Sequence, residues 1–289
     1  MSKRKQSNNE DSDAGSSDIS MIDVDFDFFN PNPNVDYHAI KRLLKQLFQE
    51  DAESFNLHEF TELILSQPTI GTTIKTDGED SDPYALLTVL NMHAHREHPS
   101  ITSLANYFLK KSSTNPGFHS ALQTLFSQTQ NHVGLVVCER LINMPVQVIP
   151  HMYRMLAEEL KNAIAENSAF SFTHLLILSR TYHLSLDDEA KLANSQPRNA
   201  SSKRKKAKAH NANVDNIPRP EDGIYSFHPE DECIKEASAF TVDYPFDASP
   251  NEPRNKESFG LDTRGRMMLV PAEKFEGLVV KMGEVYAVN

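Results

Sequence analysis

Two apolar runs joined by a helical stretch constrain this chain more than anything else in it. Val133-Gly134-Leu135-Val136-Val137-Cys138 is nearly continuous in apolar residues, and Phe170-Ser171-Phe172-Thr173-His174-Leu175-Leu176-Ile177-Leu178 is a second run of strand length. An alternating pattern would mark a strand with one wet face; continuous runs mark strands buried on both. Between them Val146, Ile149, Tyr153, Leu156, Leu160 and Ile164 recur at helical spacing, with Pro145 or Pro150 near the start. Strand, helix and strand at this spacing read as a βαβ unit, which demands a parallel pair inside a sheet.

The flanking sequence supplies further elements. Ile22-Asp23-Val24-Asp25-Phe26-Asp27-Phe28-Phe29 alternates apolar and acidic residues, so it reads as an extended segment with one buried face and one acidic face, ended by Pro31 and Pro33. Tyr37, Ile40, Leu43, Leu44, Leu47 and Phe48 predict an amphipathic helix over 36–50. Leu57, Phe60, Leu63 and Ile64 predict a shorter one that stops before Pro68. The β-branched stretch 69–75, the Asp77-Gly78 turn signal and Tyr84–Leu90 read as a hairpin. Short helices are expected around Ile101–Lys110 and Phe118–Ser127, and strands at Ala239–Val242 and Met267–Val270. A helical turn is expected over Pro271–Phe275, and strand-like residues over Leu278–Val288.

The domain reading is a single α/β unit: a disordered acidic and polar tail over 1–20, an N-terminal part of the domain over 21–185, a disordered basic linker over 186–220, and a C-terminal part over 221–289. Asn, Ser, Ala and Lys replace large apolar residues in the linker, so it could not repay the entropy of ordering. No internal repeat is visible.

Charge narrows the function. With 29 Lys and Arg against 40 Asp and Glu the net charge is −11, which argues against direct nucleic-acid binding and suits a basic protein client. Cys138 and Cys233 alone cannot build a disulfide framework, so a reducing compartment is the natural reading. No apolar run approaches the roughly 18 residues of a membrane helix, and the N-terminus has no apolar stretch like that of a secretory signal. A membrane role is therefore not expected.

The sharpest local motif is Lys203-Arg204-Lys205-Lys206-Ala207-Lys208. Nuclear import receptors read such cations when they are extended and accessible, so these five residues are assigned as a nuclear localisation signal rather than an unread solvated linker. Lys3-Arg4-Lys5 is a weaker second candidate. Two acidic patches are assigned as partner-facing: Asp23, Asp25 and Asp27 on the alternating segment, and Asp77, Glu79, Asp80 and Asp82 on the hairpin loop. The acid-rich stretch 221–257 is expected to add to that surface.

Other motifs fail on their chemistry. The Asp-x-Asp pattern lacks the preceding buried strand that an aspartyl-phosphate enzyme needs. His93, His95 and His98 are close, but no Cys cluster or His-Glu-x-x-His accompanies them, so a polar loop is favoured over a metal site. Gly260–Met267 has the glycine spacing of a phosphate loop but offers Arg266 where the Lys should stand and Met267 in place of the Ser or Thr, and reads as a turn entering a strand. Cys138 reads as a small buried hydrophobe, with Glu139 and Arg140 an ion-paired or exposed strand end. No catalytic residue, cofactor or metal is assigned.

Four motifs in order carry a family resemblance. Val24–Phe29, Ile70-Gly71-Thr72-Thr73-Ile74-Lys75, Ser81–Ala85 with Leu87–Asn91, and Glu139-Arg140-Leu141-Ile142-Asn143-Met144-Pro145 together resemble the BCCIP family, in its fungal branch, over about 22–289. The resemblance implies a GNAT-like mixed central sheet flanked by helices. It also implies a non-enzymatic nuclear protein that shuttles with the cytoplasm. Such a protein escorts a newly made large-subunit ribosomal protein, engages nuclear transport receptors and supports export and ribosome biogenesis. The GNAT likeness raises one alternative, an acyl-CoA-dependent transferase. The signature Arg/Gln-x-x-Gly-x-Gly/Ala is absent, and Glu139–Pro145 brings no glycine where phosphates would approach.

Overall fold

A computed structural model describes residues 25–67, 69–166, 169–185, 220, 222–247 and 262–286. Asp23, the 1–20 tail, Lys3–Lys5, the basic cluster 203–208 and most of the 186–220 linker lie outside the described residues.

The described residues form a central mixed sheet flanked by helices. In chain order they are β1 (Asp27–Phe29), α1 (Tyr37–Phe48), α2 (Leu57–Leu65), β2 (Thr72–Lys75), β3 (Ala85–Asn91), α3 (Pro99–Ser112), α4 (Pro116–Ser127), β4 (His132–Arg140), α5 (Ile149–Ala165), β5 (Phe172–His183), β6 (Ile224–Ser226), α6 (Asp231–Ala237), β7 (Phe240–Tyr244), β8 (Asp262–Pro271) and α7 (Phe275–Tyr286). Strand order is β1-β2-β3-β4-β5-β8-β7, and β6 pairs with β5 off that path. All pairs are antiparallel except β4 with β5, the βαβ pair that the apolar runs require.

Local sequence explains where elements begin and stop. Asn56 caps α2 by accepting the Glu59 N–H at 3.4 Å, and Asn115 caps α4 by accepting the Phe118 N–H at 3.1 Å. Helix α1 ends at Phe48, before the expected residue 50, because Gln49 has φ +48° and the chain tightens into a 3₁₀ turn. Strand β2 starts at Thr72 instead of 69 because Gly71 sits at φ +133°. The sheet divides two apolar cores. Leu86, Leu90, Leu135, Val137, Leu176 and Leu178 face α1–α4, while Val89, Val136, Ile177 and Met268 face α5 and α7.

Two expectations are corrected. Leu278–Val288 reads as strand-like from its β-branched residues, yet α7 covers it as far as Tyr286. Phe275, Leu278 and Met282 recur at helical spacing and are buried on the α5 side, so burial overrides local propensity. The expected turn over Gly260–Met267 is strand from Asp262 onward. Gly265 serves close packing there. A Cβ on it would lie 2.3 Å from the Tyr244 ring, which crosses over it from β7.

Candidate functional site

The structure brings both acidic patches to one corner of the sheet. Strand β1 runs antiparallel to β2 with Asp27 opposite Lys75, so Asp25 lies toward the end where β2 enters the hairpin loop 76–84. Asp25, Asp27, Asp77, Glu79 and Asp80 are all exposed. Two cations at this corner, among the described residues, are already paired. Lys75 is fully buried and donates to Asp36 Oδ1 at 2.6 Å and to the Glu79 carbonyl at 2.5 Å. Arg42 pairs with Asp82 at 3.1 Å on the surface, which takes Asp82 out of the uncompensated set. Phe26 and Phe28 pack on the α5 face of the sheet, half-buried, with the Phe28 ring 6.2 Å from His151.

The acid-rich stretch 221–257 behaves otherwise. Its described acids are largely consumed by internal pairs, against the expectation that they present a surface. Asp243 accepts from Arg266 at 2.5 and 2.9 Å, Asp247 from Lys110 at 2.6 Å and Lys111 at 2.8 Å, and Glu236 pairs with Lys281. Glu230 and Asp231 are buried, paired with Arg140 of β4 and Ser179 of β5.

That burial site was not foreseen. The parallel ladder ends at the rung Val137–Leu178. Beyond it β4 stays with β3 and β5 stays with β8, so the two strands part. The chain from 222 re-enters this gap. β6 pairs with Thr181–His183, the Phe227 N–H donates to the Arg180 carbonyl at 3.0 Å, and His228–Asp231 turn inward. Arg180 donates to Glu139 at 2.9 and 3.1 Å and stacks 4.2 Å from the Phe227 ring centroid. His228 Nε2–H donates to the same carboxylate at 3.0 Å. Arg140 forks onto Glu230, with the Nη2 branch at 3.0 Å, and Ser179 Oγ–H donates to Asp231 at 2.5 Å.

Electrostatics there are extreme. Burial pushes the Glu139 carboxyl up, but His228 and Arg180 outweigh it and hold the group at about 2. Asp231 goes the other way, to about 7: burial raises it, Glu230 adds repulsion, and His228, Ser179 and Arg266 pull back only in part. Of the two expected states, ion-paired or exposed, Glu139 and Arg140 take the first and are buried, at 1% and 5% exposure. Cys138 is half-buried and burial raises its thiol, opposite to what a nucleophile needs. His93 is spent on structure: its Nδ1 accepts the Val133 N–H at 3.1 Å and its Nε2–H donates to Leu125 at 2.9 Å. Among the described residues no group of three or more His, Cys, Asp or Glu is placed to hold a metal.

The model of the BCCIP family matches residues 21–234. The chain is 42% identical to protein bcp1 of Schizosaccharomyces pombe, over 99% of this chain and 100% of that relative. The chain belongs to the BCCIP family. A second BCCIP relative, protein bcp1 of Emericella nidulans, is 39% identical over 94% of this chain and 90% of its own. The crystal structure of BCP1 from Saccharomyces cerevisiae is similar in fold, with a TM-score of 0.60 at 23% identity, covering 95% of this chain and 93% of that one.

The buried network could have been suspected from sequence. Glu139-Arg140 and Ser179-Arg180 place charges directly after apolar strands, and the dense run His228-Pro229-Glu230-Asp231-Glu232 supplies their partners. What the sequence lacked was the pairing of residues 41 to 90 positions apart.

Proposed function

We propose that this chain is a non-enzymatic nuclear carrier that shields a basic protein client, such as a newly made large-subunit ribosomal protein, and accompanies it between nucleus and cytoplasm. The observation that carries this reading is the convergence of Asp25, Asp27, Asp77, Glu79 and Asp80 on one sheet corner whose neighbouring cations are already paired. Uncompensated acids on a rigid edge attract a cationic surface and speed its capture. Lys203, Arg204, Lys205, Lys206 and Lys208 would address the loaded carrier to nuclear transport receptors, in support of export and ribosome biogenesis.

The test is charge reversal of those five acids to Lys, followed by co-purification of bound protein from cells. Loss of basic companions with an unchanged circular-dichroism spectrum supports the reading. Retention of the same companions overturns it.

One observation favours a second reading. A single parallel pair at the centre of an otherwise antiparallel sheet supports a GNAT-like architecture, and with it an acyl-CoA-dependent transferase. The gap between the parting strands, which such an enzyme would need for its donor, is occupied by His228–Asp231. Pro145 and Pro150 also remove N–H donors at the approach to α5, where a pyrophosphate would need them. Calorimetric titration with acetyl-CoA separates the two: micromolar binding favours the transferase, and silence favours the carrier.

A further inference from the structure

Strand β1 is the outermost strand of the sheet, and among the described residues it pairs only with β2. We infer that this edge accepts an extended cationic segment of the client as an added strand, with Lys or Arg at every second position. The inference rests on the carrier reading above and names how the same corner would grip its partner.

Three features specify the occupant. An edge strand leaves main-chain N–H and C=O groups pointing away from its neighbour, ready for another chain. Alternation then puts the side chains of an added strand beside those of β1, about 4.5–5.5 Å away at directly opposed positions. On one face they would meet Asp27 and, just ahead of β1, Asp25, both exposed and in no ion pair among the described residues. On the other they would meet the half-buried ring of Phe28 and, just ahead of β1, that of Phe26. A segment that alternates cationic and apolar residues matches both faces at once.

Charge also selects against the obvious competitor. A second copy of this chain pairing edge to edge would set Asp against Asp, and like charges directly opposed destabilise a ladder. Past the N-terminal end of β1, Asp77, Glu79 and Asp80 extend the acidic rim, so cations beyond the paired segment gain as well. Pro31 and Pro33 limit the ladder at the other end.

The experiment is fluorescence polarisation with the full chain and a labelled peptide of alternating Lys and Val. Two N-methylated versions are compared, each blocking the N–H groups of one edge of the peptide. If the peptide adds to β1, one methylated version loses affinity by about tenfold or more and the other does not, because only one edge bonds. Asp25→Lys with Asp27→Lys abolishes binding while the urea midpoint stays put, as both residues are exposed. Equal binding by both methylated peptides overturns the added strand and leaves the acidic-surface reading intact. No binding by any peptide, or binding indifferent to the Asp substitutions, also overturns it. Failure of the carrier reading itself registers separately, as companions retained after the five-site reversal.

Discussion

Arg180 holds Glu139 with two hydrogen bonds, at 2.9 and 3.1 Å, across the gap where β4 and β5 part. Both side chains are essentially buried, at 5% and 0%. The pair does for the diverging ends what main-chain bonds do for the rest of the ladder, and His228 ties the re-entrant segment to the same carboxylate.

Glu139→Ala leaves Arg180 buried with no counter-charge. The expected loss is about 3–5 kcal/mol, read as a fall in the urea midpoint. Replacing Glu139 and Arg180 together by Met recovers most of that loss, because the uncompensated charge goes with its partner. A double variant as unstable as the single one would show that the pair acts through something other than charge balance.

The pH dependence has a defined sign. Asp231 has its folded pKa raised from 3.8 to about 7, so ionisation costs stability as pH climbs from about 4 to 7 and the cost is complete above that. Glu139 is depressed to about 2, so its contribution is present above about 4.5 and lost only as pH falls toward 2. Asp231→Asn removes the first effect alone. Relative to that variant, the native chain should gain stability as pH falls from 7 to 4. Parallel stability curves for the two proteins across that window would refute the assignment.

Gly265→Ala places a methyl group inside the Tyr244 ring contact. Tyr244 cannot withdraw freely, since it is 4% exposed, edges onto Tyr107 with ring centroids 5.8 Å apart, and lies under the Lys111 ammonium. The expected cost is about 1–3 kcal/mol. Gly277→Ala, with nothing within 4 Å of the added carbon, is the control and should be neutral or slightly stabilising in α7.

Replacing Lys203, Arg204, Lys205 and Lys206 by Ala tests the import assignment. A fluorescent fusion should shift from nucleus to cytoplasm, with the thermal midpoint unchanged. Unaltered nuclear accumulation would transfer the role elsewhere in the chain.

Much of the architecture was legible because periodicity carries burial. The strands at 133–138 and 172–178, the helix between them and the 72–91 hairpin all announce themselves by spacing. The C-terminal helix did not, because Val279, Val280 and Val285 favour extended backbone locally while three well-spaced core residues decide the matter. Charge was harder. The exposed acids near β1 and those of 221–257 look alike in sequence, yet the first face solvent and most of the described acids among the second are locked to Arg and Lys. Nothing local separates them; only the fold's long-range pairings do.

The re-entrant segment has one more consequence. His183 opposes Ile224 in the ladder, and the Leu184 N–H donates to the Gly223 carbonyl at 3.0 Å, so the chain departs and returns at adjacent rungs. The 39 residues from 185 to 223 thus connect neighbouring rungs, and lengthening such a connection adds little to its cost of closure. Doubling such a loop costs only about 0.6 kcal/mol. A fluorescent protein or an affinity handle spliced between 185 and 223 should therefore leave the sheet's stability unchanged.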